Sequence, residues 1–184
     1  MSTIFLAQVA GVLASGAFLA AVIWSIAFPQ KCIWPPQRST FWNRALIWVL
    51  TVIAIGSMFW LGLTDWNAFG WSAKLRWGLG LPLMITGNIV VFHSAAYLGY
   101  KATSGAKTAL RTHGFYRYSR NPQYTADLFL FTGWAILSAS IHALPVIVIT
   151  LLTLLMAPSS EEPWLRRQYG KPYEDYCRKV RRFL

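Results

Sequence analysis

The chain alternates between long uncharged apolar runs and short segments that hold almost all of its charge. Crossing about 30 Å of hydrocarbon takes roughly 20 apolar residues in helical form. Thr3–Phe28 carries no charge and predicts a first crossing. Phe41–Leu63, with Arg44 at its edge, predicts a second. Trp77–Leu98, interrupted only by Pro82, Asn88 and His93, predicts a third. Tyr124–Met156 is too long for one crossing and contains the polar, Pro-bearing break Ser138–Pro145. It predicts two antiparallel arms of about 15 residues each, short for full crossings, joined as a tight hairpin. After Pro158 the chain turns polar. Glu161-Glu162-Pro163 suits the first turn of a new helix, with acids at the positive end of its dipole. Trp164, Leu165, Gln168 and Tyr169 would give that helix one amphipathic face. The expected fold is all-α: an integral membrane bundle of five transmembrane helices, the last two a tight helical hairpin, with a cytoplasmic amphipathic C-terminal helix.

Composition agrees with lipid as the solvent. The chain is 55% hydrophobic and only 12% charged, whereas soluble domains carry about 25% charged residues. The first 28 residues lack a basic n-region and a clear A-x-A site, which predicts a retained span rather than a signal peptide. A net charge of +11 in a soluble protein would suggest nucleic acid. Here the basic residues flank apolar spans, so membrane lipids with anionic headgroups are the expected partner and nucleic acid is not. Five crossings place the 29–40 loop, the 100–123 loop and the tail on one side, with all of the 17 basic residues except Lys74 and Arg76. The positive-inside rule makes that side cytoplasmic and the N-terminus external. Four crossings would divide the same charge almost evenly. Cys32 and Cys177 are far apart and form no metal spacing.

Two polar stretches carry the chemistry. Gly114–Tyr124 leads into the hairpin and Glu161–Tyr176 leaves it, so the hairpin sets them side by side at the cytoplasmic surface. The first holds Gly114, Tyr116, Arg120, Asn121, Pro122 and Tyr124; the second holds Glu161, Glu162, Leu165, Gly170, Tyr173 and Tyr176. In this order and spacing they resemble the isoprenylcysteine carboxyl methyltransferase family, which is similar in turn to the phospholipid N-methyltransferases. That family's first motif reads G-x-Y-x-x-x-R-H-P-x-Y, and this chain has Asn121 where His is usual. The second reads E-E-x-x-L-x-x-x-F-G-x-x-Y-x-x-Y, and here Tyr169 stands in place of Phe. The chain closes Arg182-Phe183-Leu184, where the family commonly has R-F-L-P. The resemblance covers about residues 97–184.

Length and the apolar runs predict a single membrane domain, 1–184, with two N-terminal spans in 1–76. The resemblance implies a methyltransferase-like catalytic part in 77–184 and S-adenosylmethionine as the methyl donor. A donor carboxylate wants a guanidinium fork, for which Arg120 is the candidate. An ammonium or ribose hydroxyls want carboxylates, which Glu161 or Glu162 supply. Adenine and sulfonium suit aromatic faces such as Tyr116 and Tyr124. His113, Gly114, Asn121 and Pro122 complete the expected donor site, and His113 is a candidate helper for deprotonating an amine or thiol. Arg120, Glu162 and Asp127 are the expected catalytic residues. Asp127 lies one turn into the fourth span, where an acid is expensive and usually functional, and is expected to contact the acceptor. The implied acceptor is a lipophilic small molecule or lipidated substrate, first a prenylcysteine carboxylate and second a phospholipid amine. An NADPH-binding membrane reductase and a non-catalytic membrane protein remain the rival classes.

Overall fold

A computed structural model describes residues 2–35, 41–99 and 109–184. The basic residues Arg38, Lys101 and Lys107 of the expected cytoplasmic loops lie outside these. Helix α1, Thr3–Ala27, starts where the Ser2 hydroxyl accepts the Phe5 N–H at 3.3 Å and gives way to a 3₁₀ turn at Pro29–Lys31. Helix α2 is Phe41–Thr64. Ala73–Leu75, a π-helical turn at Arg76–Gly80 and Leu81–Leu98 follow one another and are treated together as α3. Pro82 lacks the N–H its turn needs, and the wider π turn just before it absorbs the mismatch.

Helix α4, Pro122–Ser138, opens on a proline, which suits a first helical position. It ends at Ala139 in the left-handed region, with φ 45°. After the turn at 141–143, α5 runs Leu144–Tyr169, and Gly170 at φ 58° separates it from α6, Lys171–Lys179. The hairpin break therefore falls where the polar residues predict it. The expected new helix after Pro158 does not form. Instead α5 passes through both Pro158 and Pro163 and carries Glu161 and Glu162 on the span itself. An interior proline costs a helix about 3 kcal/mol or more. Here Pro158 is fully buried, and the Ser160 hydroxyl donates to the Ala157 carbonyl at 2.8 Å, so packing and a side-chain hydrogen bond hold the helix together.

All elements among the described residues are helical, and four stretches are long and apolar enough to cross a membrane: Thr3–Ala27, Ala45–Thr64, Ala73–Tyr97 and Leu144–Tyr169. The protein is thus a multi-pass helical membrane protein. Helix α4 has 17 residues, about 25 Å of rise. The bundle core joins Met58 and Leu61 of α2, Phe131, Trp134 and Leu137 of α4, and Val146 and Ile147 of α5. Helices α3 and α4 approach to backbone contact through glycine. A Cβ at Gly133 would lie 2.4 Å from the Met84 nitrogen, and one at Gly87 2.5 Å from the Ala126 carbonyl oxygen. Small residues permitting such approach are a common means of helix association in lipid.

Successive connections fall at alternate ends of the bundle. At the hairpin-turn end, Asp65 accepts the Ser140 hydroxyl at 2.9 Å and the His142 N–H at 3.0 Å, and His142 Nδ1 meets Gln8 Oε1 at 3.2 Å. Buried Arg76 donates Nε–H to the Leu137 carbonyl at 2.9 Å and lies over the Trp66 ring. The other end gathers the α1–α2 loop, the end of α3, the start of α4, the end of α5 and the tail.

Candidate active site

The second end is organised by the backbone before any side chain acts. The Arg120 N–H donates to the Arg181 carbonyl at 2.9 Å, so the C-terminal tail lies beside the segment that enters α4. The Arg182 carbonyl accepts from the Ser119 hydroxyl at 3.3 Å and from the Asn121 amide at 3.0 Å. Asn121 therefore uses its side chain to hold the tail rather than to cap α4. The Tyr176 hydroxyl donates to the Tyr116 carbonyl, which fixes α6 beneath the 3₁₀ turn Gly114–Arg117.

On this frame sits a three-residue ion cluster. Arg120 Nη2 reaches Glu162 Oε1 at 2.9 Å, with both side chains about nine-tenths buried at 11% and 10% exposure. Arg182 closes a fork on the same carboxylate, with Nε to Oε1 at 2.9 Å and Nη2 to Oε2 at 2.8 Å, and its Nη1 donates to Ser159 at 3.1 Å. These hydrogen bonds hold the Arg182 guanidinium above its usual range. Arg120 Nη1 donates to the Cys177 carbonyl at 3.2 Å, and its Nε is buried without a partner among the described residues. Immediately before Glu162 on α5, Glu161 Oε1 accepts from the Tyr124 hydroxyl and, at 2.7 Å, from the Trp34 indole N–H.

Aromatic residues surround the cluster. Tyr116 is buried and stacks on Tyr97 with ring centroids 6.0 Å apart, and Arg111 lies over the Tyr97 ring at 5.5 Å. Burial pushes the Tyr116 and Tyr173 hydroxyls well above their ordinary range. Burial also pushes Tyr176 up to about 12, against the pull of the Arg120 charge. These tyrosines are neutral hydrogen-bond donors at any physiological pH.

Of the residues singled out from the sequence, the structure brings Tyr116, Arg120, Asn121, Tyr124, Glu161 and Glu162 together. Pro122 starts α4 beside them. Gly114 adopts φ 62°, which favours glycine, at the entry to the 3₁₀ turn. His113 is exposed, and its ring meets Thr112 rather than the cluster. Asp127 lies one turn deeper and lines a cavity between α1, α2, α4 and α5. Two contributors escaped the sequence reading, Trp34 and Arg182. The Arg-Phe-Leu ending was a signal for Arg182, whereas no local pattern marks Trp34.

A multi-pass helical bundle with buried arginine, paired acids and tyrosines at one end defines the class of protein. A model of the phospholipid methyltransferase family matches residues 75–172, just over half of the chain, and the chain belongs to that family. It is 23% identical over 171 residues to methanethiol S-methyltransferase of Crocosphaera subtropica, covering 85% of this chain and 62% of that protein. It is 26% identical over 111 residues to a steroid 5-alpha-reductase of Solanum lycopersicum, covering 60% of this chain and 43% of the relative. The chain thus spans less than two thirds of the length of either relative. No solved structure matches it.

Proposed function

We propose that this protein is an S-adenosylmethionine-dependent methyltransferase acting on a lipophilic acceptor that arrives through the bilayer. The reading rests on one observation: within the ion cluster, the buried Nε–H of Arg120 has no partner among the described residues. A guanidinium donor left free inside a protein suits a carboxylate ligand, such as that of the methyl donor. Family membership and the methyltransferase relative support methyl transfer.

In this reading the residues hold and orient. Arg120 takes the donor carboxylate, with Glu162 and the Cys177 carbonyl fixing its guanidinium plane. Glu161, held by Tyr124 and Trp34 through one oxygen, offers the other to an ammonium or a ribose hydroxyl. Tyr97 and Tyr116 supply an aromatic stack for adenine or the sulfonium. When bound, the donor supplies an electrophilic methyl, whose bond to sulfur breaks with the electron pair left on sulfur as the acceptor's lone pair bonds to carbon. Alignment of that kind can contribute roughly 7–11 kcal/mol of barrier reduction. The first two helices serve as a membrane anchor and wall, and 77–184 as the catalytic part. Five crossings, counting α4, put the site on the side that carries most of the basic residues, which the positive-inside rule makes cytoplasmic. By resemblance alone the acceptor is a prenylcysteine carboxylate or a phospholipid amine, a choice that the chemistry around Asp127 narrows.

Ultraviolet cross-linking with methyl-tritiated S-adenosylmethionine tests the reading. Label is expected in peptides from 114–124 and 161–176, and excess S-adenosylhomocysteine should abolish it while NADPH does not. Labelling elsewhere, or labelling indifferent to S-adenosylhomocysteine, contradicts it.

A further inference from the structure

The cavity that Asp127 lines holds about 120 Å³, near the ~150 Å³ that takes a benzene-sized molecule. Its apolar wall includes Phe18, Phe131 and Leu154. Its polar wall consists of Asp127 and four hydroxyls, those of Ser15, Thr51, Thr150 and Thr153. Each hydroxyl already donates its proton to a carbonyl one turn back on its own helix: Ser15 to Gly11 at 2.7 Å, and Thr51 to Ile47, Thr150 to Val146 and Thr153 to Ile149, each at 2.8 Å. The oxygens that remain can only accept. Asp127 itself makes no hydrogen bond or ion pair among the described residues. The cavity is therefore a set of lone pairs with one carboxylate and no free donor, placed where an unpaired acid is costly. Its chemical complement is a group that carries N–H and positive charge. The rings of Phe18 and Phe131 favour the same charge.

Depth narrows the class further. Ser15 is the central residue of α1, Thr3–Ala27, and so sits near the middle of the hydrocarbon. Lipid headgroups lie about 15 Å from that plane. A phospholipid amine, held at headgroup level, lies well above this cavity. An incoming carboxylate would face Asp127 with like charge. We propose that this cavity binds a small organic amine with an apolar body, and that it is the acceptor pocket of the methyltransferase proposed above, on which that second clause rests. Asp127 holds the ammonium and takes its proton, freeing the nitrogen lone pair; in a low-dielectric site the neutral amine–acid pair competes well with the ion pair. Trp34, whose ring packs edge-on against Phe18 at 5.8 Å while its N–H holds Glu161, joins the wall of this pocket to the donor cluster, so the two sites meet at its ring.

The test is binding by the purified full chain in phosphatidylcholine nanodiscs. The probes are cyclohexylamine, cyclohexanol and cyclohexanecarboxylate, with S-adenosylhomocysteine titrated separately. Cyclohexylamine is expected to bind at least tenfold more tightly than either of the others. Asp127→Asn should remove that preference and leave S-adenosylhomocysteine binding unchanged. The three-probe comparison on the wild-type chain reads the charge requirement without any variant. Equal binding of cyclohexanol, or no effect of Asp127→Asn in a folded chain, overturns the amine site. Phosphatidylethanolamine in the nanodisc is expected to change nothing; if it displaces cyclohexylamine, the occupant is a lipid headgroup and the small-amine proposal falls. Selective amine binding without S-adenosylhomocysteine binding supports the site and removes the methyltransferase reading. The converse result removes the amine site and leaves that reading intact.

Discussion

Arg120 serves three acceptors at once in this account: Glu162, the Cys177 carbonyl and the donor's carboxylate. Its replacement is informative because Glu162 keeps a second guanidinium, the Arg182 fork at 2.8 and 2.9 Å, so the buried acid is not orphaned. Arg120→Ala is accordingly expected to leave the chain folded and to weaken S-adenosylhomocysteine binding by at least about 1.5 kcal/mol, or roughly tenfold. Unchanged affinity in a folded variant would make Arg120 only a membrane-surface anchor. The residue types of this cluster were legible in the sequence, since arginine, paired acids and tyrosines at fixed spacing across a hairpin predict convergence. Trp34 was not, because nothing adjacent to it differs from an ordinary interfacial tryptophan. Its role comes from tertiary placement, with the Ser25 hydroxyl accepting the N–H groups of Ile33 and Trp34 at 2.9 and 3.0 Å and so fixing the loop. His113 stands apart from these contacts, its ring exposed beside the Thr112 hydroxyl.

The helices were predicted by apolar runs, and their contacts were not. Hydrophobicity alone does not say which glycines meet a backbone. Gly133→Val puts branched carbon where even a lone Cβ would lie 2.4 Å from the Met84 nitrogen. It is expected to lower stability by about 1–3 kcal/mol, as overpacking does, measured by thermal unfolding in detergent. An unaffected melting temperature would show that α3 and α4 do not pack as described. The hairpin turn makes a second prediction through Asp65. Burial alone would raise its pKa, yet the hydrogen bonds from His142 and Ser140 outweigh that and hold it below the ordinary carboxylate range. A carboxylate depressed in the folded state stabilises above its unfolded pKa, and that contribution fades as pH falls through the folded value. Wild-type stability should therefore decline below about pH 4, and Asp65→Asn should lack that part of the decline. Identical acid profiles would refute the assignment. The run of α5 through two prolines was illegible for the same reason as the glycine contacts, because burial and a neighbouring serine decide whether a proline ends a helix.

For the whole molecule, the apolar pattern predicts the helices and the charge asymmetry predicts an orientation, while the pairing of the N-terminal helices with residues 77–184 needed three dimensions. Helices α1 and α2 lie outside the matched family segment, yet they bring Trp34 to Glu161 and complete the cavity at Asp127. Five crossings predict that the two ends of the bundle face different compartments. In a background otherwise free of cysteine, a thiol introduced as Ser72→Cys should react with a membrane-impermeant maleimide on intact cells, and Cys177 should not. Labelling of Cys177 from outside would reverse the orientation. The central claim, that the Arg120–Glu162 end of the bundle holds a methyl donor, is tested most directly by equilibrium titration of the purified chain with S-adenosylhomocysteine beside NADPH. The account predicts saturable one-site binding of S-adenosylhomocysteine that Arg120→Ala weakens about tenfold or more, and no saturable binding of NADPH. Saturable NADPH binding with none of S-adenosylhomocysteine would contradict it and place the chain's chemistry with its reductase relative.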